Sequence, residues 1–182
     1  MPRVCVFCGS ADGSRPSYAK AARDLGAAIA SRGWGLVYGG RSCGIMAAVA
    51  DAALAAGGEA IGVVPDLLAG PGEVHPGLTE VRVVRTMHER KATMESLSDA
   101  FVALPGGIGT LDEWFEALSW SALGIHGKPV GLLDVDGYFE RLVAFLDHAE
   151  AEGFVPPEVR GRVIVEKCPE RLMDSLVVPR PD

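Results

Sequence analysis

Phe101-Val102-Ala103-Leu104-Pro105-Gly106-Gly107-Ile108-Gly109-Thr110-Leu111-Asp112-Glu113 reads as a strand, a turn and a helix start with nothing between them. Four apolar residues run into a Pro-Gly-Gly-x-Gly-Thr turn, and a helical pattern begins at Leu111 and continues to Leu123. Glycines let the backbone approach a ligand closely and take positive φ. The free N–H groups at a helix start carry about half a positive charge from the dipole. Together they predict a phosphate-type anion site built without lysine. The stretch is not a Walker A loop, because G-x-x-x-x-G-K-[ST] is absent, and it does not match G-x-G-x-x-G.

Working outward, apolar strand-like runs alternate with helical patterns on both sides of this turn. Strands are predicted at Arg3–Cys8, Trp34–Tyr38, Ala60–Val64, Val81–Val84, Ala100–Leu104, Val130–Leu133 and Val163–Val165. Helices are predicted at Ser17–Ser31, Gly44–Ala56, Met87–Leu97, Leu111–Leu123 and Tyr138–Ala149, with a last helical turn or two in the tail. Residues 65–79 are rich in Gly and Pro and read as a long loop. Such alternation means right-handed βαβ crossovers. Near-continuous apolar strands mean helices on both faces. The expected fold is α/β, a Rossmann-like three-layer sandwich with a mainly parallel sheet, as one domain over residues 1–182. Ligands in such sheets bind outside the carboxyl ends of the strands. Gly9-Ser10 and Gly39-Gly40 lie at two further strand ends.

Composition narrows the class. Of 182 residues 23 are Gly, nearly twice the usual ~7%. The formal net charge of −7 argues against a nucleic-acid partner, which calls for a basic footprint. No apolar run is long enough for a membrane span. The start, Met1-Pro2-Arg3-Val4-Cys5-Val6-Phe7-Cys8, lacks the apolar core of a signal peptide. A cytoplasmic location with reduced cysteines is expected. Cys5 and Cys8 form a C-x-x-C, yet i and i+3 of a strand point to opposite faces, so the pair predicts core packing. His75, His88, His126 and His148 have no metal-ligand spacing.

Two charged residues stand out. Thr110 and Glu113 have the spacing of a capping box, with Thr110 as N-cap and Glu113 at N3. The same Glu113 also sits beside the anion turn, where it could face a bound sugar. Thr86-Met87-His88-Glu89 is a second capping box, and Arg90 falls on the apolar stripe of Met87, Met94 and Leu97 that follows. Arg is rarely buried unless paired. It either snorkels to solvent or enters the crevice to hold an anion. Lys91 alone reads as a surface lysine. Ser10 reads as a ligand-binding or structural hydroxyl.

Pro105–Glu113 matches PGGxGTxxE, and the chain resembles the LONELY GUY (LOG) family, whose older label is lysine decarboxylase. Cys8-Gly9-Ser10 resembles its CGS, and Tyr38-Gly39-Gly40 with Gly44-Ile45-Met46 its YGGGxxGLM. Met87-His88-Glu89-Arg90-Lys91 resembles its MHxRK, and Gly124–Leu133 its GIHxKPxxLL. The resemblance covers most of the chain. Arg41 stands where the family has a third Gly, and Ala47 where a Gly often follows the Met.

The resemblance implies hydrolysis of the N-glycosidic bond of a nucleoside 5′-monophosphate, with base and ribose 5-phosphate as products. It makes Arg90 and Glu113 the catalytic pair. The implied substrate contacts are Lys91, Gly106, Gly107, Ile108, Gly109 and Thr110, with Ser10, Gly40 and Ser119. No metal or cofactor is required. The family further implies a homodimer or larger assembly with sites at the subunit interface, and the stripe on the helix carrying Arg90 suggests the contact. Lysine decarboxylation needs pyridoxal phosphate on a Schiff-base lysine, for which Lys20, Lys91, Lys128 and Lys167 offer no recognisable context. The alternative is a non-catalytic nucleotide binder, such as a molybdenum-cofactor carrier. It could use the same turn without a catalytic carboxylate.

Overall fold

A computed structural model describes residues 1–176, so the last six residues of the expected domain lie outside the described part. In chain order its elements are β1 (Arg3–Phe7), α1 (Pro16–Ser31), β2 (Gly35–Tyr38), α2 (Gly44–Ala55), β3 (Ala60–Pro65), β4 (Glu80–Val84), α3 (Met87–Leu97), β5 (Ala100–Ala103), α4 (Ile108–Ala122), β6 (Val130–Leu133), α5 (Glu140–Ala151), α6 (Pro157–Arg160), β7 (Val163–Glu166) and α7 (Pro169–Ser175). The strands form one sheet in the order β4-β3-β2-β1-β5-β6-β7. Every pairing is parallel. The fold is the predicted Rossmann-like sandwich, and its described sheet is wholly rather than mainly parallel.

Side-chain alternation along the strands divides the core. Val4, Val6 and Cys8 pack with α1, α2 and α7 on one face. Cys5 and Phe7 pack with α3, α4 and α5 on the other. Cys5 and Cys8 therefore lie in different layers, both as free thiols, as their i, i+3 spacing requires. The Trp114 indole N–H donates to the Gly131 carbonyl at 3.1 Å, a partner that a buried indole needs.

The chain reverses its winding between β1 and β5. Helices α1 and α2, which follow β1 and β2, cover one face, and α4, which follows β5, covers the other, so the carboxyl ends of β1 and β5 open a crevice. Gly9-Ser10 leaves β1 on one side of it and Pro105-Gly106-Gly107 leaves β5 on the other. The Gly9 N–H donates to the Pro105 carbonyl at 3.1 Å, which ties the two turns together.

Two expectations need correction. Helix α4 begins at Ile108, with Gly107 as N-cap, three residues before the predicted start. Thr110 is thus inside the first turn and is not an N-cap, so Thr110 and Glu113 form no capping box. The apolar stripe of α3 is divided and not uniform: Arg90 and Met94 are buried within the protomer, Leu97 is half-buried, and Met87 remains exposed. The second capping box is present in modified form. Thr86 Oγ1 accepts from the Glu89 N–H at 3.1 Å, while the Glu89 carboxylate accepts from the Arg85 N–H at 2.9 Å.

The long loop is strapped down. A 3-10 turn at Asp66–Leu68 opens it. Arg41 forms an ion pair with Glu73 and a bridge with Val74. The His75 N–H donates to the Gly40 carbonyl at 2.9 Å. Arg41 faces this loop; it does not line the crevice cavity described next.

Candidate active site

A cavity of about 190 Å3 lies in the crevice. Its floor is Cys8, Gly9 and Ser10 from the end of β1, and one wall is Gly107, Gly109 and Thr110 from the start of α4. Met46, Arg90 and Glu113 complete it. Gly106 lines an adjoining apolar cavity of about 360 Å3 with Tyr18, Ile45 and Tyr138, and the two cavities share Gly9, Ser10 and Gly107.

The end of the cavity formed by α4 is set by backbone geometry. The first bond of the α4 ladder runs from the Leu111 N–H to the Gly107 carbonyl at 3.2 Å. The N–H groups before it have no intrahelical acceptor and sit at the positive end of a helix of 15 residues. Gly106 must be glycine because a Cβ there would overlap the Thr110 side chain and lie 2.8 Å from the Gly9 nitrogen. The Tyr138 hydroxyl donates to the Gly106 carbonyl at 2.5 Å and pins the turn from outside. That tyrosine was invisible in sequence, since nothing links it to a carbonyl 32 residues away.

The other end of the cavity holds a buried ion pair. Arg90 Nη1 lies 3.5 Å from Glu113 Oε1, each side chain 8% exposed. Arg90 Nε donates to the Val63 carbonyl at 3.1 Å. The arginine thus crosses the ends of β2 and β3 and presents its guanidinium to the crevice. It neither snorkels outward nor packs idly. Burial pushes the Glu113 carboxyl above its ordinary range, and the Arg90 guanidinium partly opposes the rise. Burial also pushes up the Cys8 thiol, which keeps it protonated and unsuited to nucleophilic work.

Other sequence-derived candidates lie elsewhere. Lys91 is in ion pairs with Asp112 and Glu116, both at 3.1 Å. It borders a small crevice behind Glu113, between α3 and α4. Gly40 is buried with φ +76° and lies under the strapped loop. Ile108 is 84% exposed on the outer side of α4. Ser119 is exposed further along the same helix. None of these four lines the crevice cavity, whereas Ser10, Gly107, Gly109 and Thr110 do.

Residues 46–176 match the family described as possible lysine decarboxylase. A protein of Oryza sativa subsp. japonica named probable cytokinin riboside 5′-monophosphate phosphoribohydrolase is 56% identical over 158 residues, 87% of this chain and 70% of that one. The cytokinin riboside 5′-monophosphate phosphoribohydrolase of Rhodococcoides fascians is 49% identical, covering 97% of this chain and 89% of its own. Among solved structures, the molybdenum cofactor binding protein of Rippkaea orientalis superposes with a TM-score of 0.73 at 27% identity, over 98% of both chains. The sequence relatives and the matched motif agree, and the chain belongs to the LOG family, whose older description is possible lysine decarboxylase.

Proposed function

We propose that this chain hydrolyses the N-glycosidic bond of adenosine 5′-monophosphates, including N6-modified ones, releasing free base and ribose 5-phosphate. The observation that carries this reading is the buried Arg90–Glu113 pair at one end of a cavity whose other end is a helix N-terminus. The names of relatives at 49% and 56% identity support it.

The proposed chemistry makes use of this geometry. The phosphate rests on the N–H groups at the start of α4, and its binding energy fixes the ribose. As the C1′–N bond breaks, its electron pair leaves with the base and positive charge grows on the sugar. Ionised Glu113 stabilises that charge and takes up the proton of the attacking water. The water oxygen becomes the anomeric hydroxyl, the base draws its proton from solvent as it leaves, and Glu113 returns the water's proton to solvent, so that one water is consumed in all. Arg90 favours ionised Glu113 against its burial and adds a cationic donor for phosphate or ribose oxygens.

The reading extends to a single cytoplasmic domain over residues 1–182 that works as a homodimer. Among the described residues no helix is long and apolar enough to cross a membrane. The surface favouring a dimer is the outer face of α4, where Ile108 and Phe115 are exposed seven residues apart. Ile108 follows the anion turn directly, which puts such an interface beside the site. Light scattering is expected to give twice 19.1 kDa; an active monomer refutes the dimer.

The testing experiment incubates purified protein with AMP and with N6-isopentenyl-AMP and separates the products by chromatography. Adenine and isopentenyladenine are the expected products. No base from either, with protein in excess, overturns the hydrolase reading. It would favour the carrier alternative, which rests on the likeness to the Rippkaea orientalis molybdenum cofactor binding protein.

A further inference from the structure

Gly39 follows β2 at the edge of the crevice and is buried. Its φ is not in the left-handed region, in contrast to that of its neighbour Gly40. No turn geometry therefore demands glycine at 39. What a Cβ would meet there is two side chains. It would overlap Arg90 Nη2, and it would sit 3.2 Å from Met46 Cε and 3.3 Å from its Sδ. The backbone tolerates a side chain at this position, and the nearest obstacle is the tip of the catalytic arginine.

We propose that Gly39 is a positioning residue, an empty slot at the end of β2 that admits the Arg90 guanidinium and aims it at Glu113. The proposal rests on the catalytic reading of Arg90 and goes beyond it. The arginine is held at two points, its Nε on the Val63 carbonyl of β3 and its Nη1 towards Glu113. Its third nitrogen, Nη2, occupies space that a Cβ at 39 would claim. A methyl group at 39 pushes on the flexible far end of Arg90, which yields at little cost to the fold. The displacement falls on the one group whose place the chemistry needs. Replacing a glycine at permitted φ also restricts the unfolded chain, so folding and catalysis respond in opposite directions.

The test compares Gly39→Ala, Arg90→Ala and the double variant with the parent, with protein in excess over AMP and long incubation to follow slow base release. Melting temperature is measured in parallel. Gly39→Ala is expected to melt at or above the parental temperature. Its kcat should fall about 10²-fold, the scale of a 1 Å misplacement, with a much smaller change in KM. The double variant is expected to be no slower than Arg90→Ala, because the alanine at 39 has nothing left to displace. Gly39→Ala at the parental rate, beside a slow Arg90→Ala, overturns the proposal and leaves the catalytic reading intact. An equal further slowing in the Arg90→Ala background also overturns it. Parental turnover by Arg90→Ala removes the catalytic reading of Arg90 itself and the proposal with it. If Gly39→Ala does not fold but the double variant does, the obstacle is Arg90, as proposed. If neither folds, something else refuses the Cβ and the proposal is wrong.

Discussion

In the proposed reaction the chemistry turns on Glu113, and the burial of its carboxyl sets a pH dependence. Burial raises its pKa while Arg90 works against the rise. The ionised form is the active one in the proposed reaction, so turnover should fail as pH drops through the raised value. A rate–pH profile of AMP hydrolysis is expected to show an acid limb with its midpoint above the ordinary ~4.3 of a glutamate. Replacement of Glu113 by Gln keeps the size and removes the charge. It should cost about 10²–10⁴-fold in base release, and the acid limb should go with it. A folded Glu113→Gln protein with parental turnover would assign the residue no catalytic part. Sequence reasoning left its role open between helix cap and catalyst for a physical reason. Thr-x-x-Glu is a valid cap wherever a helix begins at the Thr, and only the position of the start decides. With the start at Ile108, Glu113 lies beyond the N3 position and points into the crevice.

Two elements hold the site's parts in place, and each offers a measurement. Helix α3 carries Arg90 at its fourth position, and its first turn depends on the Thr86 hydroxyl. Thr86→Ala should lower stability by about 1 kcal/mol, seen as a lower urea midpoint at unchanged m. The turn before α4 depends on the Tyr138 hydroxyl. Tyr138→Phe leaves the fold in place and loosens the Gly106 carbonyl, so KM for AMP is expected to rise severalfold with kcat less affected. Equal KM for the two proteins would show that the turn holds without that bond. At this scale much was legible in sequence. The strand–helix alternation and the β6 bounds agree with the structure, because parallel strands buried on both faces are unbroken apolar runs. The start of α4 was misplaced because glycine is a poor helix former, so Gly107-Ile108-Gly109 resembles pure loop. A first turn needs no intrahelical N–H donors, and glycines there cost the helix less than at its centre. Tyr138, Val63 and Gly39 act through a carbonyl, a carbonyl and an empty space, none of which leaves a local pattern.

For the molecule as a whole, acid sensitivity should have a second source away from the site. His126 is buried against the Phe101 ring, 5.2 Å between centroids, and its Nδ1 accepts from the Lys128 N–H at 3.2 Å. Burial and the Lys128 charge hold its pKa below the usual histidine value. A group whose folded pKa is depressed contributes stability above its unfolded pKa of ~6.5 and loses it as pH falls towards the folded value. The urea midpoint should therefore drop between pH 7 and pH 5, and less so in His126→Asn. A parallel drop in both proteins would place the effect elsewhere. The net charge of −7 is compatible with an anionic substrate because the attraction in the proposed site is local, from the peptide N–H groups at the start of α4 together with Arg90. That choice of donor shapes what the protein can survive. A phosphate gripped by lysines is lost when a lysine is lost, but no ordinary substitution deletes a peptide N–H, proline excepted. The fragile positions are instead those where matter is added, at Gly106 against Thr110 and Gly9 and at Gly39 against Arg90. In a full substitution scan this crevice should fail where Gly106 or Gly39 acquires a side chain, while Gly107 and Gly109, with open space around an added Cβ, should accept one.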